Sequence, residues 1–522
     1  MIQLTDEEKQ FKLPLSSEDA RSFFSSYPAE KWDIETYFEA KKQSKVSKVY
    51  HNYDNDLNWI TRQGNLPPRI KEYARDLISV PKPKPALLKA NQARHACKKR
   101  KMNREIVIQN SQNVIVNSGS VINSTLSNSG QTTASNTNQA EQDDNGQSNN
   151  ERPSIWKDWK TYIESSLDSF HPFSLVANDI VRAGKGVSDR PLLDENLYKQ
   201  HMSQKSNSRY LMPEDFKAHI RAFAMAKNKP ESKSVIYGLS LLLSQKEDAN
   251  MEFVHDVLVE MCRTYTSHID IQQSEDAFNQ LFIWPYLLAM SRSISETIDS
   301  SISSEFLTGQ PILQSMTKQL KAVGLYIDDA HVYKSDGLFQ LSGSIKEELL
   351  LLETSGCFAN NDKSKVNFDH HKGVYGMLAM LKSIADDYYY ASLDSFMRIK
   401  VYFLHAADEH LHLWSVSYQE EGIFDLWREA AVRILPSDAD KLTHVPSFMQ
   451  FMWTTKSLLE KSISDIISLK QEHEKVNIEQ AFSETQSPLL SEIINPIILK
   501  LTKEDDHHDM SKLGPNYSPL HS

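Results

Sequence analysis

Three acids in this 522-residue chain stand out for the chemistry they could share: Glu275, Asp336 and Glu353. Asp336 falls in a segment, 331–341, that reads as a strand. Glu353 falls near the end of the next strand segment, 348–355, which reads as its hairpin partner. Carboxylates on adjacent strands can reach one hard cation. Mg²⁺ takes oxygen ligands, keeps several waters, and is usually held by one or two carboxylates plus a substrate phosphate. A cation held this way activates water and stabilises the leaving oxygen in phosphodiester cleavage. Asp336 and Glu353 are therefore the expected Mg²⁺ ligands. Glu275 is a third carboxylate or a group that orients water, and nucleic acid is the expected substrate. Each acid also has a plainer explanation. Asp336-Gly337 is a common turn pair. Glu275 is an acid in a first helical turn, where the dipole favours it. Glu353 is harder to dismiss, because it follows four leucines, Leu349 to Leu352. An acid in such a place costs free energy unless it is exposed, paired or metal-bound.

The elements that must position these acids lie in 270–465. A helix begins at Ser274-Glu275-Asp276 and runs to 282. A second covers 291–304, unless its serine-rich run breaks it, and a third covers 311–323. The strands 331–341 and 348–355 follow, with a turn at Gly343 between them. Four leucines bounded by turn signals suit a strand buried on both faces. Next come a helix over 369–390, strands over about 397–406 and 411–419, and a helix over 446–459.

A helical Glu, a strand Asp and a Glu-x-Lys strand followed by a helix form the pattern of the PD-(D/E)xK nuclease core. Ser274-Glu275, Ser335-Asp336-Gly337 and Leu352-Glu353-Thr354-Ser355-Gly356 resemble its three motifs. The segment is also similar to a set of fungal proteins of the Mucorales type. The features shared with that set are the Leu-Leu-Leu-Glu-x-Ser-Gly strand, the Phe-Asp-His-x-Lys-Gly helix start and the Ala-Met-Leu-Lys-x-Ile-Ala-Asp run at 379–386. The resemblance covers about 270–465. It implies a restriction-endonuclease-like α/β (α+β) domain, with a mixed sheet flanked by helices, and Mg²⁺-dependent nuclease activity. The chain departs from the family at Ser355, which stands where the motif lysine orients the attacking water. Two consequences stay open. Lys372, with Lys363 or Lys365 behind it, takes over from the missing lysine, or the domain has lost catalysis and keeps the fold for binding.

Histidines offer a rival chemistry. His370-His371 and Asp408-Glu409-His410-Leu411-His412 are metal-capable, and His410 and His412 share one strand face. A zinc site needs three or four converging ligands, and the commoner fate of His-x-His on a strand is a surface pair. Ser355 lacks the Gly-x-Ser-x-Gly elbow of a serine nucleophile. No phosphate-binding Gly-x-x-x-x-Gly-Lys-Ser/Thr loop and no Gly-x-Gly-x-x-Gly occurs.

Composition frames these sites. Lys and Arg total 58 against 69 Asp and Glu, a net charge of −11. This disfavours non-specific coating of nucleic acid, which needs a dense basic surface. Three scattered cysteines argue against a thiolate zinc site or a disulfide framework and fit a reducing compartment. The N-terminus lacks a signal-peptide pattern, and no apolar run is long enough to span a membrane. A soluble intracellular protein, nuclear or cytoplasmic, is expected.

The length implies several units. We expect a small N-terminal region (1–90), then a basic cluster with an Asn/Ser-rich, largely disordered linker (91–155). A helical region (156–269) packs on the nuclease-like domain (270–465), and a C-terminal helix leads into a disordered tail (466–522). The cluster Lys98, Lys99, Arg100 and Lys101 reads as an import signal or a phosphate-binding patch. Residues 106–126 alternate β-branched groups with Asn and Ser, the composition of a cross-β segment. A polar linker with a chance strand is the plainer account. The alternative to nuclease activity is a non-catalytic nuclear interaction protein with protein partners, possessing the same fold and self-assembling through the Asn-rich arm.

Overall fold

The computed structural model describes residues 2–15, 21–41, 46–115, 154–187, 193–204, 210–326, 329, 332–480 and 488–514, with only the backbone course given for 101–115. The fold is mixed α/β: seven strands form one sheet, and helices flank it. The strands are β1 (Ile180–Gly184), β2 (Ile302–Thr308), β3 (Gly337–Gly343), β4 (Glu348–Thr354), β5 (Val401–Ala407), β6 (His410–Tyr418) and β7 (Phe424–Arg433), in the spatial order β1-β7-β6-β5-β4-β3-β2. β4 pairs parallel to β5, and β1 parallel to β7. The other neighbours are antiparallel.

Six helices matter below. They are α1 (Pro85–Ile115), α2 (Glu275–Phe282), α3 (Trp284–Thr297), α4 (Gln314–Ala322), α5 (Lys363–Asp387) and α6 (Lys441–Gln480). The four leucines of β4 are fully buried, as a strand covered on both faces requires. α5 covers one face. An added Cβ at Gly373 would meet the Phe403 ring at 2.4 Å, and one at Gly376 would meet Leu351 Cδ2 at 2.8 Å. Both glycines cost helix propensity, about 1 kcal/mol each, and in exchange the helix axis comes close to β4 and β5. On the opposite face, the Tyr402 hydroxyl donates to the Leu458 carbonyl of α6 at 3.0 Å. Side chains alternate along β4. Glu353 therefore shares Leu351's face and points toward α5.

Several expectations need correction. The second helix is α3, ending at Thr297, and the serine-rich run that follows is strand β2. Only Ile302 and Phe306 of β2 are well buried, so this edge strand shows little apolar pattern of its own and depends on pairing with β3. β1 and β7 were not anticipated. β7 carries Asp425, Arg428 and Glu429, which obscure its alternation. Asp336 sits just ahead of β3 instead of inside a strand, its amide donating to the Leu352 carbonyl at 2.9 Å. The helix expected over 446–459 extends to 40 residues as α6.

The β-branched stretch is helical through Ile115, at the end of α1. Residues 116–126 and the linker 127–152 lie outside the described residues. Within the basic cluster Lys98 and Lys99 are exposed, but Arg100 is buried against Gln319 and the Pro496 carbonyl. That arginine serves packing. The expected disordered tail also differs. After a short helix (Leu490–Ile493) the chain buries Ile494, Ile498, Leu499 and Leu501 in the main core. Among the described residues no helix is long and apolar enough to cross a membrane.

Candidate active site

The C-terminal end of β4 gathers the acids picked out above, together with partners not among them. Ser274 caps α2 by accepting the Ala277 amide at 3.1 Å, which places Glu275 in the first turn. Asn279, one turn further, accepts the Thr354 hydroxyl at 2.7 Å and ties α2 to the end of β4. Asp336 Oδ2 accepts the Thr354 amide at 2.7 Å, and the Trp284 indole donates to the Asp336 carbonyl at 3.1 Å. These contacts hold Asp336 beside the end of β4.

Glu353 is 2% exposed. Its Oε1 accepts the Tyr333 hydroxyl at 3.0 Å, and its Oε2 accepts Lys372 Nζ at 2.7 Å. Lys372 also donates to the Lys334 carbonyl at 2.8 Å and lies 4.7 Å from the centre of the Tyr333 ring. A second lysine, Lys365, donates to Glu275 Oε2 at 2.8 Å, to the Thr354 carbonyl at 3.1 Å and to Asp369 Oδ2 at 3.3 Å. Ser355, in the place of the motif lysine, is 2% exposed. It donates to Asp369 at 3.0 Å and lies 2.9 Å from His405 Nε2.

The cluster is therefore four carboxylates, Glu275, Asp336, Glu353 and Asp369, with Lys365 and Lys372. Three of the acids touch a lysine. Asp336 does not, among the described residues. Its carboxyl is pushed up to about 6, by burial first and then by the nearby Glu275 charge. Burial also holds Glu353 above the ordinary carboxylate range. Lys372 pulls it down, while Asp336 and Asp369 push it further up. Burial works against the Lys372 ammonium, but Glu353 and Asp369 outweigh it and keep the amine above its ordinary value. His405 is pushed down to about 3 by burial, so it is a neutral partner for Ser355.

Asp336, Glu353 and Lys372 come together, and Glu275 joins them through Lys365. Lys363 is exposed and stands outside the cluster. Two members escaped the reading of the residues: Asp369 and Tyr333. For Asp369 the signal was present, because Lys365, Asp369 and Lys372 recur at i, i+4 and i+7 on one helical face. Tyr333 carried no such signal. His410 and His412 stack at 5.6 Å, and His370 is buried 4.9 Å from the Trp414 ring. Among the described residues no group of three or more His, Cys, Asp or Glu side chains is arranged to hold a metal ion. No family model, no curated protein and no solved structure matches this chain.

Proposed function

We propose that this cluster is a metal-assisted phosphodiesterase centre of the PD-(D/E)xK type, acting on nucleic acid, with Lys372 in place of the motif lysine. One observation carries the reading: the Lys372 ammonium lies 2.7 Å from Glu353 on a strand whose lysine position is Ser355. The donor set suits a hard divalent ion. Asp336 and Glu353 would be its ligands, the rest being waters and substrate phosphate, as Mg²⁺ prefers. Asp336 lacks a lysine contact, and burial and the Glu275 charge outweigh the pull of Lys372 on it, so a cation would relieve a charge that is only partly balanced. When bound, such an ion polarises the phosphodiester and makes a bound water acidic.

The chain's own groups have separable roles. Lys372 keeps its proton at neutral pH, so it acts as a hydrogen-bond donor to the attacking water or a phosphate oxygen, and not as a base. Tyr333 fixes the other Glu353 oxygen. Lys365 holds Glu275 at the mouth of the site. The burial of Glu353 and Asp369 keeps the floor dry, where charge interactions are strongest.

The test is nicking of supercoiled DNA and cleavage of RNA by the full chain, with Mg²⁺ and with Mn²⁺. We expect metal-dependent cleavage that Asp336→Ala and Glu353→Ala abolish. Wild-type protein inert on both substrates with both metals sinks the reading. One observation favours a second reading, a non-catalytic interaction protein. Both Glu353 oxygens are already bonded, and the Ser355 hydroxyl bonds both Asp369 and His405, so the cluster can serve as a closed structural unit. That reading predicts that the two alanine variants, if folded, bind partners as the wild type does.

A further inference from the structure

The helix Lys229–Gln245 is apolar on two faces. One face is accounted for. It packs on the helices Glu214–Met225 and Ala249–Tyr265, burying Ser232 and Leu239, and the Ser240 hydroxyl lies 2.8 Å from His255 Nε2. The other face carries Ser234, Tyr237, Gly238, Leu241, Leu242 and Gln245, at i, i+3, i+4, i+7, i+8 and i+11, all of them exposed. Tyr237 is 66% exposed, Leu241 47% and Leu242 45%. No charged residue occurs between Lys233 and Lys246. A surface helix ordinarily turns a charged face to water, and an exposed apolar stripe marks a contact surface. Gly238 sharpens the point, because a glycine in mid-helix costs helix propensity. In α5 the absent Cβ atoms of Gly373 and Gly376 let β5 and β4 come close, whereas a Cβ at Gly238 would meet nothing within 4 Å. Among the described residues nothing fills that hollow.

We propose that this face pairs with the same face of a second copy of the chain, as two antiparallel helices about a two-fold axis level with Leu239 and Ser240. A two-fold interface requires a patch that is its own complement, and this one is. Leu241 of each copy packs over Gly238 of the other, where the missing Cβ lets the two backbones approach. Tyr237 of each copy meets Leu242 of the other. The charges at the two ends favour a second copy over an unrelated partner. The antiparallel pair sets Glu231 of one copy beside Lys246 of the other, and Lys233 beside Glu247. All four are exposed, and Lys233, Lys246 and Glu247 have no ion-pair partner among the described residues. The two helix dipoles also run in opposite directions. One helix face is smaller than the roughly 800 Å² per partner that stable complexes bury, so the dimer dissociates in the micromolar range. No residue of this face belongs to the acid–lysine cluster, so the pairing stands whether or not that cluster is catalytic.

Analytical ultracentrifugation of the full chain over a concentration series tests the proposal. The mass is expected to rise from that of one chain to that of two by about 100 µM. Leu241→Glu, at an exposed position, raises the dissociation constant about tenfold or more. Gly238→Gln does the same while the melting temperature stays level or rises, because its Cβ meets open space and glutamine is the better helix former. Lys233→Glu weakens the dimer about two- to threefold, the scale of an exposed ion pair, and adding Glu247→Lys restores it. A single-chain mass at every concentration, with this face covered by another segment of the chain or by a different protein, overturns the proposal. So does a dimer that Leu241→Glu and Gly238→Gln leave intact, or one that the charge swap does not restore.

Discussion

β4 carries a buried glutamate at each end, and the two are stabilised by different kinds of partner. At its start, Glu348 accepts the backbone amides of Gln314 at 2.7 Å and Ser315 at 2.9 Å. It thereby caps α4 and supplies the negative charge that a helix N-terminus favours. At its end, Glu353 accepts a tyrosine hydroxyl and a lysine ammonium. Backbone amides are fixed, so Glu348 is a structural bond between sheet and helix. Lysine and tyrosine side chains can exchange one oxygen partner for another, so the Glu353 end retains the capacity to meet a phosphate or a cation. The lesson is that a buried acid does not mark a site. What its partners can do decides that.

The largest expected effect separates the two ends. Glu353→Gln and Asp336→Asn are expected to lower nucleic-acid cleavage by about 10³-fold or more, with melting temperatures within a few degrees of wild type. Glu348→Gln should leave cleavage within about twofold. Loss of activity in Glu348→Gln with activity kept in Glu353→Gln reverses the comparison. Next in size, Lys372→Ala should lower the rate about 10²-fold, the scale of losing one preorganised donor, and Lys365→Ala by less. The rate should also rise with pH through about 6, as Asp336 loses its proton. A flat profile between pH 5 and 7 removes Asp336 from the metal-binding role.

Two further tests read stability. Gly373→Ala drives a methyl into the Phe403 ring, and overpacking of this kind costs about 1–3 kcal/mol. Urea unfolding should show that loss, and cleavage should fall with it if the close seat of α5 is what delivers Lys372. Glu348→Ala should cost about 1–2 kcal/mol as a lost cap, with no effect on the rate.

The smallest effect is a slope. Native Asp336 and Glu347 hold their protons up to about 6 and about 8, whereas the unfolded chain loses them near pH 4. The native state binds more protons across that window, so stability should fall as pH rises from about 4 to about 8. Glu347→Gln should flatten the slope between pH 6 and 8. Mg²⁺ should raise the melting temperature more at pH 8 than at pH 5, because it favours ionised Asp336.

Much of the sheet's centre was legible in the chain. Four leucines in a row announced β4, the apolar runs about 397–406 and 411–419 announced β5 and β6, and Ser274-Glu275 announced α2. The edges were not legible. β2 buries little, and β7 interrupts its pattern with charges, so each becomes a strand only through its neighbours. The same limit applied to the site. Glu353 was conspicuous because an acid beside leucines needs a partner, and Asp336 and Lys372 followed from the pattern around it. Asp369 was readable from helical spacing but lacked a strand-side acid to give it meaning.

By itself, the sequence determined a mixed α/β chain, with a strand of four leucines that ends in an acid needing exposure, a partner or a metal. Apolar periodicity and the cost of desolvating a carboxylate are local properties, and they can be read from neighbouring residues. Only the tertiary structure decided which groups answer that acid. Gly373 and Gly376 let α5 lie close on β4 and β5, and that approach places Lys372 against Glu353 across 19 residues of chain. It also decided that Glu347 meets the Tyr388 hydroxyl while Glu348, one residue on, caps a helix. The burial and partners of a side chain are set by elements that the chain brings together only when it folds.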